Sequence, residues 1–193
     1  MTAQALLVPR RSLLYMPGAN SRAMEKAQSL DCDTIIFDLE DAVAATAKSE
    51  ARSQVLAALT HNAYDHRELV VRCNGLDTPW GMDDLRCFAH ASIGALLFPK
   101  IESVAQIAEI KDALASHGSS LPLWIMIETP TAVLDLQHVA ADPHVTALVM
   151  GTSDLVKELR AQHTPSRDNL AYALQHCVLV ARHLGKEIFD GVQ

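Results

Sequence analysis

Short apolar runs that end in polar or charged residues recur along the whole chain, and they limit its fold more than any other feature. The run at 123–127 leads directly into Glu128, and the run at 34–37 leads into Asp38. Continuous apolarity without alternation is typical of parallel strands buried on both faces. The runs lie at 12–16, 34–37, 69–71, 95–98, 123–127, 147–150 and 187–189.

Amphipathic helical patterns separate these runs. The pattern at 103–117 begins with Ser103 and Gln106 in capping-box spacing, and Gly118 closes it. Alternation of such patterns with parallel strands predicts an α/β fold. The other patterns lie at 21–30, 48–59 and 167–184.

The spread of polar strand ends favours a barrel over an open sheet. In a (β/α)8 barrel every strand delivers side chains to one mouth, whereas a doubly wound sheet concentrates its site at one switch point. At least five strands here end in a polar group, and no glycine-rich nucleotide loop is present. A complete barrel typically takes about 250 residues. The sequence therefore predicts a (β/α)8 TIM barrel, truncated after strand seven, as a single incomplete domain over residues 1–193.

Composition excludes several classes of protein. The net charge of -7 argues against nucleic-acid binding. No apolar run approaches the roughly 20 residues that span a bilayer. The four cysteines have no zinc-ligand spacing and are interpreted as reduced thiols. We expect a soluble, cytoplasmic protein without nucleic-acid or membrane partners.

Two carboxylates at neighbouring strand ends predict a metal site. Glu128 and Asp154 each follow an apolar strand, and they would repel each other without a cation between them. Mg2+ suits such a pair, because it takes one or two protein carboxylates and completes its shell with water and substrate oxygens. The alternative interpretation is that each acid caps the helix that follows it.

Charged residues follow three further strands. Arg72 is predicted either to pair with acids or to hold a substrate carboxylate through two parallel hydrogen bonds. Asp38, Glu40 and Asp41 are interpreted as supporting acids that orient Arg72 and Lys100, with direct catalysis as the alternative. We interpret Lys100 as a charged, paired lysine in preference to a Schiff-base lysine.

Two basic residues follow the first strand, on the helix after the sequence PGAN. Arg22 and Lys26 are the kind of residues that usually form a solvated helix face. A basic helix start at a barrel mouth would also suit the phosphates of a cofactor such as coenzyme A.

Six motifs, taken in chain order, identify a family resemblance. They are RSLLYMPG, IIFDLEDAV with KSEAR, VVRCNGLDTPWG, LLFPKIES, WIMIETP and VMGTSDL. This series resembles the citrate lyase β-subunit-like family, which includes malyl-CoA and citramalyl-CoA lyases, within the HpcH/HpaI aldolase superfamily. The resemblance implies a TIM barrel that cleaves 3-hydroxyacyl thioesters into a 2-oxo acid or glyoxylate and an acetyl thioester.

The resemblance also implies roles for individual residues. Glu128 and Asp154 match the family's Mg2+ ligands, and Arg72 matches the arginine that holds the oxo acid. Arg72 and Glu128 are thus the expected catalytic residues, and both bind substrate together with Asp154. Lys26 matches a basic position associated with coenzyme A. The acids of the DLED motif match an acidic motif near the metal.

The chain departs from the family pattern at three places. Ser153 stands where an acid or amide is commoner, and Arg160 replaces a frequent glycine. The family chain continues through strand eight to a segment whose aspartate reaches a neighbouring subunit as the acid/base. The resemblance implies a homo-oligomer, a trimer or larger. Two alternatives to a CoA-dependent lyase stay open: a citrate lyase β-type subunit acting on an acyl-carrier-protein thioester, and a non-catalytic remnant that binds metal and oxo acid.

Overall fold

A computed structural model of the protein describes residues 9–60 and 63–191, and its strands and helices alternate along the chain. The strands are β1 Leu13–Pro17, β2 Thr34–Asp38, β3 Glu68–Arg72, β4 Ala95–Phe98, β5 Leu123–Ile127, β6 Val145–Met150 and β7 Glu187–Phe189. The helices are α1 Ser21–Ala27, α2 Lys48–Thr60, α3 Gly81–Phe88, α4 Val104–Ser116, α5 Pro130–Leu134, α6 Leu136–Val139, α7 Thr152–Glu158 and α8 Ala171–His183. This alternation confirms the α/β prediction.

Two compact units make up the described chain. The first comprises the described residues up to Arg72 together with Ala91–Gly94, and the second comprises Cys73–His90 with the residues from Ala95 onward. The expectation of a single domain over 1–193 stays a prediction.

The first unit contains a parallel sheet of β1, β2 and β3 in chain order. Its register places Pro17 beside Asp38 and Asp38 beside Arg72, so three strand ends are level. All five residues of β2 are buried, as expected for a central parallel strand.

Ion pairs join the starts of the strands in the first unit. Arg10 lies 2.6 Å from the carboxylate of Glu68, the first residue of β3. Arg11 donates two side-chain hydrogen bonds to Asp33, which precedes β2. These bonds hold the pKa of the Asp33 carboxyl well below its usual range.

The second unit contains the parallel strands β4 to β7, again paired in chain order. Every residue of β4 and β5 is buried. The β5–β6 register pairs Ile127 with Met150, so the residues that follow these two strands, Glu128 and Gly151, are neighbours. This relationship creates the acidic part of the candidate site.

Helix ends agree with the local signals in the sequence. Ser103 caps α4 by accepting a hydrogen bond from the backbone of Gln106, whose side chain completes the capping box. Gly118 and Gly185, which follow α4 and α8, adopt the left-handed conformation that favours glycine, with φ of +68° and +66°. The four helical patterns predicted from the sequence did not include α3, α5, α6 or α7.

The cysteine side chains are free thiols, as predicted. Burial raises the pKa of Cys177 to about 12, which makes this thiol a poor nucleophile at neutral pH. None of the helices within residues 9–60 and 63–191 combines the length and hydrophobicity that spanning a membrane requires.

Candidate functional site

The first unit brings Arg72, Asp38 and Glu40 together, and we call these three residues the arginine cluster. Nε of Arg72 donates a 2.7 Å hydrogen bond to Oδ1 of Asp38, and Nη2 donates to Oδ2 of the same carboxylate. Nη1 lies 3.0 Å from Oε2 of Glu40. All three residues are buried.

Electrostatics stabilise the charge on Arg72. Burial opposes a charged guanidinium, but the hydrogen bond to Asp38 and the negative charges of Asp38 and Glu40 outweigh it. The pKa of Arg72 is therefore raised above its ordinary value. The aromatic ring of Tyr15 lies under the guanidinium, with 5.2 Å between Cζ and the ring centroid, and adds a cation–π contact.

The interpretation that Arg72 pairs with neighbouring acids is confirmed. One complete edge of the guanidinium, formed by Nε and Nη2, is engaged by Asp38. Asp38 and Glu40 both contact Arg72, as a supporting role would require, and that role stays a prediction. Asp41 is exposed, and its backbone N–H donates a 3.2 Å hydrogen bond to Oε2 of Glu40.

The second unit presents Glu128 at the end of β5. The side chain is buried, and its Oε1 accepts a 2.7 Å hydrogen bond from the backbone N–H of Lys100. Lys100 adopts the left-handed backbone conformation, with φ of +53°. Such a conformation is uncommon for a residue with a side chain, and it marks a candidate functional position.

The side chain of Glu128 packs against Gly151, where a Cβ atom would clash with it. A Cβ atom added at Gly151 would lie 2.5 Å from Cβ of Glu128 and 2.7 Å from its Oε2. Both distances are shorter than van der Waals contact, so any larger residue at 151 would displace the carboxylate. The glycine of the GTSDL motif thus has a steric role beside the acid.

The helix-cap alternative is wrong for both acids. Thr129 caps α5 by accepting a hydrogen bond from the backbone of Ala132, and Gly151 holds the cap position of α7. The description of Asp154 as a strand end also needs correction. Asp154 lies in the first turn of α7, three residues beyond Gly151, and is partly buried.

The donor chemistry of Glu128 and Asp154 fits Mg2+. Both supply hard carboxylate oxygens, and one oxygen of Glu128 already has a backbone donor that fixes its orientation. The residues that the structure describes contain no cluster of three or more His, Cys, Asp or Glu side chains suited to a metal. A site with two protein ligands suits Mg2+, which normally keeps water and substrate oxygens in its shell.

A cavity of about 450 Å3 adjoins α7 in the second unit. Thr152, Ser153 and Arg167 are among the residues that line it. Arg167 forms two 2.6 Å hydrogen bonds with Asp190, which fixes its guanidinium. The volume is in the range of small-molecule sites.

The remaining predicted residues lie on exposed surface. Arg22 and Lys26 are both exposed on α1, which is compatible with the solvated-face interpretation and leaves the coenzyme A role a prediction. The exposed Arg160 has a φ of +52°, which explains why glycine would be frequent at this position.

Sequence reasoning missed three contributors to these sites. The N–H of Lys100 was missed because backbone donors leave no mark on residue type. The steric role of Gly151 had a signal in the lone glycine between a buried strand and an acid. Tyr15 had a weaker signal, as an aromatic residue in the middle of β1.

Comparisons with known proteins show the family of the chain. The sequence profile described as HpcH/HpaI aldolase/citrate lyase matches residues 11–193. A (3S)-malyl-CoA thioesterase of Cereibacter sphaeroides is 46% identical over 184 residues, which cover 95% of this chain and 63% of that protein. Citrate lyase subunit beta of Haemophilus influenzae is 33% identical to this chain. The alignment covers 95% of this chain and 66% of that protein. The chain thus spans less than two thirds of the length of these curated relatives.

Solved structures show the same fold. The citrate lyase beta subunit from M. tuberculosis, solved with oxaloacetate and magnesium, has a TM-score of 0.79 and 25% identity, covering 94% of this chain and 78% of that one. RipC from Yersinia pestis has a TM-score of 0.76 at 26% identity, covering 95% of this chain and 76% of that one. The predicted (β/α)8 TIM-barrel class is confirmed, with seven strands in the residues described.

Proposed function

Because this chain belongs to the HpcH/HpaI aldolase/citrate lyase family, we propose that it is a Mg2+-dependent carbon–carbon lyase acting on a 3-hydroxyacyl-CoA. The substrate is of the malyl, citramalyl or citryl type, and the products are a 2-oxo acid or glyoxylate and acetyl-CoA. The observation that carries the proposal is the buried Glu128 carboxylate, oriented by the N–H of Lys100 at the end of β5.

Glu128 and Asp154 are the proposed metal ligands. When bound, Mg2+ supplies a Lewis acid that polarises the hydroxyl or keto oxygen of the substrate. The backbone donor on Oε1 holds Glu128 in one orientation before any ligand arrives. A magnesium complex of the citrate lyase beta subunit from M. tuberculosis supports the choice of metal.

Arg72 is the proposed oxo-acid-binding residue. Its charge is permanent, and Asp38 and Glu40 hold the guanidinium in a fixed orientation. A pre-oriented cation stabilises developing negative charge without reorganising during the reaction. Cleavage of the carbon–carbon bond leaves an acyl-thioester enolate, which must then take up a proton.

A second candidate is hydrolysis of the thioester. The relatives that are 46% identical are named (3S)-malyl-CoA thioesterases, so a malyl-CoA-type substrate is shared by both candidates. Lyase cleavage of malyl-CoA gives glyoxylate and acetyl-CoA, whereas hydrolysis consumes water and gives malate and free coenzyme A. The family's aldolase and citrate lyase members favour the first.

The predicted substrate carrier, oligomeric state and cellular location also belong to the proposal. A carrier-protein thioester as substrate draws support from the 33% identity to a citrate lyase subunit beta. The homo-oligomer, the cytoplasmic location and the alternative of a non-catalytic metal and oxo-acid binder stay predictions.

The decisive experiment incubates the chain with Mg2+ and (3S)-malyl-CoA, citramalyl-CoA or citryl-CoA. Glyoxylate, pyruvate and oxaloacetate are assayed as hydrazones, and free coenzyme A as a thiol. Release of oxo acid without thiol supports the lyase. Release of thiol without oxo acid supports the thioesterase. Release of neither, with Mg2+ and pyruvate binding intact by calorimetry, supports the non-catalytic binder.

A further inference from the structure

We propose that Lys48 is a positioning residue that holds the Leu39–Glu40 turn so that the arginine cluster keeps its binding geometry. Lys48 is the first residue of α2 and is buried. Its Nζ donates hydrogen bonds of 2.7 Å to the carbonyl of Leu39 and 2.6 Å to the carbonyl of Glu40. The functional part of this inference rests on the role proposed above for Arg72.

The position of Lys48 breaks two local rules. A cation at a helix N-terminus opposes the helix dipole, which favours acidic residues there. Burial of an ammonium group also costs free energy unless its hydrogen bonds compensate. Violations of local preference concentrate at functional sites, so a lysine retained here is expected to serve the neighbouring cluster.

The turn is held from both sides. On one side, the carboxylate of Asp38 accepts hydrogen bonds from the backbone N–H groups of Glu40 and Ala42, at 2.8 and 3.2 Å. On the other side, the ammonium of Lys48 binds the carbonyls of Leu39 and Glu40. These bonds fix the backbone from which the side chain of Glu40 extends to Arg72.

Charge balance gives Lys48 a second effect. Asp38 and Glu40 contribute two negative charges and Arg72 one positive charge, so the arginine cluster alone is net negative. The ammonium of Lys48 brings the buried group of four residues to formal neutrality. An anionic oxo acid would be repelled by a net negative cluster at close range in a low dielectric. Lys48 therefore favours anion binding by Arg72 without contacting the anion.

The test compares Lys48→Met with the wild-type chain by two measurements. The first is hydrogen exchange of the Arg72 Nε–H by 15N-edited NMR, which reports on the hydrogen bond to Asp38 and needs no ligand. The second is calorimetric titration with pyruvate and with glyoxylate at saturating Mg2+, preceded by titration with Mg2+ alone. Lys157→Met, which removes an exposed lysine, is the matched control.

We expect Lys48→Met to speed Nε–H exchange at least tenfold and to raise the Kd for the oxo acids at least tenfold, with the Kd for Mg2+ unchanged. Lys48→Arg should recover most of both losses, and Lys157→Met should match the wild type. Should Lys48→Met fail to fold, Lys48→Gln keeps one donor and is measured in its place.

A lower melting temperature with wild-type exchange and oxo-acid affinity would overturn the inference, because Lys48 would then act only on stability. A wild-type chain that binds neither Mg2+ nor oxo acid would refute the proposed function instead. The exchange measurement would still decide whether Lys48 positions Arg72.

Discussion

The backbone N–H of Lys100 donates a 2.7 Å hydrogen bond to Oε1 of Glu128. This bond depends on a left-handed backbone at Lys100, and it orients the carboxylate through the main chain. Because the donor is a main-chain group, a substitution at residue 100 keeps this hydrogen bond wherever it keeps the left-handed backbone.

Substitution of Lys100 by glycine tests this dependence on the backbone. Glycine adopts a positive φ without strain and keeps the N–H, so Lys100→Gly should retain Mg2+ affinity and most of the turnover. Lys100→Ala should be less stable than Lys100→Gly by about 1 kcal/mol, because alanine is strained in the left-handed region. Urea unfolding measures the difference. Borohydride trapping of pyruvate on the wild-type chain would contradict our view that Lys100 is no Schiff-base residue.

Removal of either carboxylate charge should weaken metal binding. We expect Glu128→Gln and Asp154→Asn to raise the Kd for Mg2+ at least tenfold, since loss of outer-shell partners alone typically costs about 10–100-fold. Calorimetry measures the affinity, and circular dichroism checks the fold. Glu109→Gln, the same change on the exposed face of α4, is the control. Unchanged affinity in both variants would refute the metal assignment.

A methyl group at position 151 should disturb the same carboxylate without changing any charge. The added Cβ of Gly151→Ala would lie 2.5 Å from Cβ of Glu128. We expect a loss of about 1–3 kcal/mol in unfolding free energy, as for overpacked sites, with weaker Mg2+ binding. Gly118→Ala is the control, because a Cβ there has nothing within 4 Å and costs only backbone strain. Equal Mg2+ affinity in both alanine variants would contradict the steric role.

Loss of the guanidinium should destabilise the first unit as well as abolish oxo-acid binding. Arg72→Met leaves Asp38 and Glu40 buried without their partner, which typically costs about 3–5 kcal/mol. Arg72→Lys keeps a charge but loses the planar fork, so we expect partial stability and poor pyruvate binding. Urea unfolding and pyruvate titration separate the two effects. Wild-type pyruvate affinity in Arg72→Lys would argue against a substrate role.

Acid should remove one stabilising interaction of the second unit. Burial raises the pKa of Asp142, but hydrogen bonds from Lys111 and His144 outweigh it and lower the pKa below the ordinary 3.8. Because the native pKa is depressed, the stabilisation is present above pH 3.8 and is lost as the pH falls through the native value. Asp142→Asn should thus destabilise by about 1 kcal/mol at neutral pH and less in acid.

Urea unfolding at pH 7 and below pH 3.8 measures this dependence. Asp112→Asn, the same change at an exposed acid on α4, is the matched control. An Asp142→Asn deficit of equal size at both pH values would show that the charge of Asp142 is not the source of its contribution.

Strand positions were predictable because buried parallel strands leave continuous apolar runs. The run at 123–127 matches β5 at both ends, and 34–37 falls one residue short of β2. Short helices were harder to predict. Helix α5 begins at Pro130, directly after the cap residue Thr129, and its five residues are too few to show a helical period.

The acidic side chains of the candidate site were predictable, whereas their supports were not. Asp38 and Glu40 lie two residues apart after an apolar run, and this spacing placed both beside Arg72. Lys48 escaped the same reasoning because its partners are carbonyl groups, which every residue has. Asp154 was placed too close to the strand because the sequence GTSD gives no sign that α7 begins at Thr152.

The ion pairs of Arg10 with Glu68 and of Arg11 with Asp33 stand where the strands of the first unit begin, at the opposite end from Asp38 and Arg72. The ion pairs at the strand starts can therefore be altered without changing any residue of the arginine cluster, whereas a change at Arg72 affects both stability and the proposed ligand site. Engineering for thermal stability alone has reason to begin at the strand starts.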